Sequence, residues 1–289
     1  MHKTTTDNYI KLHLYLFYVP VILVALTILF LYITGSLNIG SYIQLQTPLF
    51  FLINSKLSQY PNVQYNLTQL GDALVFLSFL TILIVYAPKV WGALITASII
   101  SAVFCTPIKS LFAVPRPAAV FDNNSFTIIG KTLTGHNSLP SGHSITIFTI
   151  LTVLLFSFMP KKLNYKIIWI AAFTFAGLMI AFTRVGVGAH YPLDVIAGGV
   201  LGYLSGILGI FINQKYKTWI WISDKRYYPV FMLVIAICSI VLINKLINEK
   251  LIIFYLSLIN LMVVLHIITN IYAKKRFKIT RFFIINKLS

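Results

Sequence analysis

Long uncharged runs, separated by short polar stretches, recur along this 289-residue chain. Eight of them approach the ~20 residues a helix needs to cross the hydrocarbon of a bilayer. They lie near 15–35, 71–88, 90–107, 143–159, 166–183, 193–212, 229–247 and 251–269. In lipid every backbone N–H and C=O needs an internal partner, so runs of this length predict helices. The strands of a membrane barrel would instead give short segments of alternating polarity. The pattern therefore predicts an all-α, polytopic transmembrane helical bundle of about eight spans. The first run is too long for a signal-peptide core and no small-residue cleavage site follows it, so it reads as a retained span. The longest polar connections are 36–70 and 108–142. Within the first, YIQLQTPLFFLINSKLSQY (42–60) reads equally well as a helix lying along the interface or as a partly buried connector.

Composition agrees with the pattern. The chain is 58% hydrophobic and 10% charged, with a mean hydropathy of +0.86, whereas a soluble domain carries roughly 25% charged residues. A net charge of +17 by itself would suggest nucleic acid. Its distribution points to a bilayer instead. With the N-terminus inside, sixteen of the 23 Lys and Arg fall on the inner side. They include Lys161, Lys162, Lys166, Lys215, Lys217, Lys225 and Arg226, then Lys274, Lys275, Arg276, Lys278, Arg281 and Lys287 in the tail. This is the positive-inside asymmetry, and the basic tail is expected against anionic lipid heads. Nucleic acid is not an expected partner, because no folded soluble domain presents a surface for it. Cys105 and Cys238 fall inside apolar runs and read as small packing side chains, not as a disulfide.

Ionisable groups are costly in and beside a membrane, so each raises a question of purpose. Three segments hold most of the charge that the inner-side bias leaves unexplained: KSLFAVPRP (109–117), LPSGHS (139–144) and TRVGVGAHYPLD (183–194). The eight-span topology puts all three on one outer face. Lys109, Arg116, Arg184, His143, His190 and Asp194 are thereby expected in one pocket. Three fixed cations suit a group with two or more negative charges, Arg as a planar fork and Lys as a point charge. Ser141 is placed to cap the fourth helix, and Gly142 lets backbone N–H groups approach an anion at that helix start. One histidine can attack phosphorus while the other protonates the leaving oxygen. Asp194, four residues beyond His190 and past Pro192 in the first turn of the sixth helix, can hold the imidazole. These residue types suffice for phosphoryl transfer without a metal or other cofactor.

At this point the chain resembles a known family. K-x6-R-P (Lys109, Arg116, Pro117), P-S-G-H (Pro140 to His143) and R-x5-H-x3-D (Arg184, His190, Asp194) are similar to the three-part signature of the type 2 phosphatidic acid phosphatases. These share their site with vanadium haloperoxidases. The third motif usually begins Ser-Arg, and here it is Thr183-Arg184. The resemblance covers 13–213, a six-helix phosphatase core, and leaves 214–289 as a C-terminal two-helix hairpin with a basic tail. It implies His190 as nucleophile, Asp194 as its orienting partner and His143 as general acid. Lys109, Arg116, Ser141, Gly142 and Arg184 become the phosphate-binding shell. It further implies a lipid phosphate substrate (phosphatidate, phosphatidylglycerol phosphate, isoprenyl diphosphate or lipid A). The site would lie at head-group level, on the periplasmic or exterior side of a bacterial cytoplasmic membrane.

Other functions fit the residues less well. An intramembrane serine hydrolase built on Ser141 needs no cluster of cations, and LPSGHS lacks the first glycine of G-x-S-G. A metal enzyme using His136, His143 and His190 would place Arg and Lys against its own cation. An anion transporter should show broken helices or repeat symmetry near the midplane. Transfer of the phosphoryl group to a second lipid uses the same site and stays open. Asp72 reads as lining the site or as a helix cap, His136 as a solvated loop residue, and His266 as a hydrogen-bonded packing residue.

Overall fold

The structure, a computed structural model, describes residues 12–288, the side chains of 275–288 excepted. The tail contacts expected of Lys275, Arg276, Lys278, Arg281 and Lys287 lie outside the described side chains. The described chain is helical, with no strand among the described residues. The helices are α1 (Tyr18–Ile33), α2 (Ile39–Leu57), α3 (Pro61–Thr68), α4 (Ala73–Leu80), α5 (Leu83–Tyr86), α6 (Pro88–Phe112), α7 (Pro117–Val120), α8 (Gly142–Ser157), α9 (Leu163–Gly186), α10 (Pro192–Tyr216), α11 (Tyr228–Glu249) and α12 (Ile252–Leu288). Six helical stretches, those containing α1, α6, α9, α10, α11 and α12, are long and apolar enough to span a membrane, and α8 is a shorter apolar helix.

One expected span is broken. The run 71–88 forms α4, a turn at 81–82 and α5. The Ser78 carbonyl accepts from the Asn260 side chain at 2.6 Å and from the Thr81 hydroxyl at 2.8 Å. A carbonyl engaged by side chains competes with continuation of the helix. Ala87, at φ −146° and ψ 63°, ends α5, because a residue before proline is disfavoured in the α region.

The centre of the bundle is α10 against α8 and α6. Gly198, Gly202 and Gly206 repeat every four residues along one face of α10. A methyl group on Gly198 would meet the Ser141 carbonyl, on Gly202 that of Ile145, and on Gly206 the Thr152 side chain. Helix backbones can approach this closely only over small residues. The seam thus carries the start of α8 directly onto the first turns of α10. The first span is held far more loosely: Pro20 is the buried residue of α1, and Tyr203 donates to the Leu16 carbonyl at 3.4 Å just before it.

The segment 42–60, left open by sequence, is largely the helix α2. Tyr42, Gln46, Phe50 and Asn54 form its buried stripe at four-residue spacing. Phe50 is surrounded by Phe121, Phe126 and Tyr191, with ring centroids 5.8, 5.3 and 5.7 Å away. Asn54 donates to the carbonyls of Thr127, Val185 and Gly186 and accepts from the Thr127 amide. So α2 pins the long 113–141 connection onto the end of α9.

Candidate active site

His190 is placed by the end of α9. The helix closes at Gly186, and Gly188, at φ +77°, takes a left-handed conformation that glycine adopts without steric cost. The chain then folds back so that the amides of Ala189 and His190 both donate to the Arg184 carbonyl, at 3.0 and 3.2 Å. Pro192 opens α10 and Asp194 falls in its first turn, as the sequence predicts. His190 is 1% exposed and Asp194 fully buried.

The imidazole is gripped from both sides. Its Nε2 lies 3.3 Å from Arg116 Nη1, which can only donate, so Nε2 carries the lone pair. Nδ1 is then the protonated nitrogen. It lies 3.4 Å from Ser138 Oγ and 3.5 Å from Asp194 Oδ2, while Ser138 donates to that carboxylate oxygen at 2.6 Å. The Asp194–His190 link is therefore shared with a serine that the motifs did not single out. Asp194 also accepts from Tyr42 Oη at 2.8 Å and from the Tyr191 amide at 3.0 Å. With these donors a buried carboxylate is satisfied. Burial first, and then the charge of Asp194, raise the Tyr42 phenol above its ordinary range, so it stays a donor. Burial, followed by the cations Arg116, Arg184 and Lys109, holds the His190 imidazole well below the ordinary 6.5. His190 is thus held in its neutral form at neutral pH.

Three cations act on His190. Arg116, 8% exposed, is fixed by the Asn137 side chain at 2.7 Å and the Ala189 carbonyl at 3.2 Å. Arg184, 7% exposed, donates to Thr68 Oγ1 at 3.0 Å, and its buried Nε makes no hydrogen bond with the protein. That donor is available to a ligand. Lys109 stands beside the start of α8: a methyl group on Gly142 would sit 3.5 Å from its Nζ. Ser141 caps α8, accepting from the Ser144 amide at 3.4 Å, while its own amide donates to the Asp194 carbonyl at 3.0 Å. His143, in the first turn of α8, has Arg184, His190, Lys109 and Arg116 as its electrostatic neighbours. On its other side a methyl group on Gly71 would overlap Cβ, Cγ and Cδ2 of His143.

All eight residues singled out from sequence, His190, His143, Asp194, Lys109, Arg116, Ser141, Gly142 and Arg184, converge at one end of the bundle. Thr183 does not reach the site with its hydroxyl, which donates to Ile180 within its own helix. Asp72 is a cap, accepting from the Leu74 amide at 2.9 Å, and pairs with Lys245. His136 is exposed. His266 hydrogen-bonds Asn270 at 2.8 Å but lies on the outside of α12, so it is not a packing residue. Sequence reading missed Tyr42, Ser138, Asn137, Thr68 and Gly71. Ser138 and Asn137 lie just before the second motif, where a polar cluster was visible. Nothing local marks Tyr42, which is 152 residues from its partner.

The fold and site together define a membrane-embedded helical protein with one buried and one half-buried histidine among fixed cations. Residues 90–219 match the family model described as PAP2 superfamily. An undecaprenyl-diphosphatase of Sulfolobus acidocaldarius is 29% identical over 204 residues, which are 68% of this chain and 92% of the relative. A lipid A 1-phosphatase of Rhizobium etli is 34% identical over 40% of this chain and 47% of the relative. The crystal structure of Aquifex aeolicus LpxE superposes with a TM-score of 0.48 at 29% identity, covering 58% of this chain and 95% of that one.

Proposed function

We propose that this protein is an integral membrane lipid phosphatase that cleaves an isoprenyl diphosphate through a phosphohistidine at His190. The coarse part, a phosphoric ester hydrolase acting on membrane lipid, is where the site and the named relatives agree. The finer part rests chiefly on one observation: the lone pair of His190 Nε2 points at the Arg116 guanidinium, where a phosphoryl group held by Arg116, Arg184 and Lys109 would lie. The undecaprenyl-diphosphatase matches far more of this chain than the lipid A 1-phosphatase does, which favours an isoprenyl diphosphate over lipid A or phosphatidate.

Nε2 attacks phosphorus, and the bond from phosphorus to the leaving oxygen breaks as His143, which takes up a proton when the phosphate's negative charge enters the site, gives that oxygen the proton. Positive charge developing on the imidazole is offset through Ser138 and Asp194. Water then attacks the phosphohistidine, giving its proton to His143, and inorganic phosphate leaves. The cations supply the charge stabilisation that a metal would otherwise provide. In this reading the site faces the outer side of the cytoplasmic membrane and no cofactor takes part.

The test is phosphate release by the purified protein in EDTA from undecaprenyl diphosphate, lipid A, phosphatidylglycerol phosphate and phosphatidate, each beside His190→Ala. Release from the isoprenyl diphosphate, abolished in the variant, is the expected result. Release from another lipid would replace the substrate. No release, with label moving to a second lipid, would make the protein a phosphotransferase.

A further inference from the structure

The C-terminal hairpin, α11 and α12, lies beyond residues 90–219 and carries none of the three motifs. It is nevertheless tied to the site through the eight residues 65–72. Lys245 of α11 makes an ion pair with Asp72, and its ammonium lies 5.8 Å from the Phe254 ring centroid. The Ile253 amide at the start of α12 donates to Asn66 Oδ1 at 3.1 Å. Burial and the neighbouring Glu249 carboxylate push the Tyr65 phenol up to about 12. Further along α12, Asn260 holds the Ser78 carbonyl at the break after α4.

The other face of the same eight residues meets the site. Thr68 accepts from Arg184, and Gly71 packs so closely on His143 that a methyl group there would overlap its Cβ, Cγ and Cδ2. Helices of eight residues, such as α3 and α4, are marginal without tertiary support. The hairpin supplies that support at Tyr65, Asn66, Asp72 and Ser78, on either side of the two contact residues.

We propose that the hairpin positions the general acid: Lys245, through Asp72 and Gly71, holds His143 at the leaving-group oxygen. Lys245 is a positioning residue and touches no substrate. The proposal rests on His143 being the acid, and the experiment separates the two. A leaving group of low basicity needs little protonation, so loss of a correctly placed acid slows alkyl phosphates and spares activated aryl ones.

Full-length protein in lipid nanodiscs would be assayed on a long-chain alkyl phosphate and on 4-nitrophenyl phosphate. His143→Asn serves as the benchmark. Lys245→Met is expected to lower alkyl phosphate turnover by at least ~tenfold while 4-nitrophenyl phosphate changes by less than about threefold. Lys245→Arg, which keeps the ion pair, is expected to restore it. Gly71→Ala approaches His143 from the opposite direction and is expected to give the same selective loss, a check if Lys245→Met fails to fold. Equal loss on both substrates in folded Lys245→Met, or no loss on either, overturns the proposal while leaving His143 as the acid. Equal loss in His143→Asn removes the acid assignment, and the hairpin's role falls with it.

Discussion

Ser138 and Tyr42 each donate one hydrogen bond to the same buried carboxylate, and hydrogen bonds to a charged group contribute roughly 1.5–3 kcal/mol. Ser138→Ala and Tyr42→Phe should therefore each lower kcat about tenfold to a hundredfold with little change in KM, measured by steady-state phosphate release. The pH profile gives a second check. A lowered imidazole pKa means that the neutral, nucleophilic form survives to lower pH. The acid limb of kcat/KM should lie below 6.5. Removing a cation reverses that effect, so Arg116→Met should shift the limb upward as well as weaken phosphate binding. A limb that stays in place would mean that Arg116 does not face the nucleophile. At this scale the three motifs made the ionisable groups of the candidate site legible, because His, Arg, Lys and Asp are rare in such an apolar chain. Ser138 and Tyr42 were not legible: a serine in a polar loop and a tyrosine among many aromatics carry no local mark.

The glycine seam of α10 is the feature of element scale that fixes the site. Gly198 and Gly202 lie against backbone of α8 that carries Ser141 and Ile145, where no flexible side chain can yield. Gly198→Leu should destabilise the protein by at least the roughly 1–3 kcal/mol usual for overpacking, seen as a lower melting temperature in detergent, and should abolish activity with it. Asn54→Ala tests a different joint. It removes a side chain that bonds the 113–141 connection and the end of α9 together, so it should lower kcat without loss of the helical signal in circular dichroism. Most helices were readable from hydropathy, since the need to satisfy backbone groups in lipid leaves few choices. The break between α4 and α5 was not, because a side chain 182 residues away takes the Ser78 carbonyl.

Across the whole molecule, charge is distributed between two ends. The site and the helix ends around it gather at one, and Lys161, Lys162, Lys166 and Lys215 at the other. In a Cys105→Ala, Cys238→Ala background, Asn124→Cys should react with a membrane-impermeant thiol reagent from outside intact cells, and Lys162→Cys only after lysis. The reverse pattern would invert the orientation that the positive-inside rule assigns. The sequence by itself determined the helical membrane class and marked the eight residues that the structure gathers at one end of the bundle. Those follow from solvation: apolar runs must bury backbone as helices, and charges at a membrane edge persist where a function holds them. Only the tertiary structure decided which nitrogen of His190 carries the lone pair, that Ser138 and Tyr42 hold Asp194, and that Asp72, paired with Lys245 of the C-terminal hairpin, adjoins the Gly71 that packs on His143. These depend on contacts between residues far apart in the chain, and local pattern encodes no such distances.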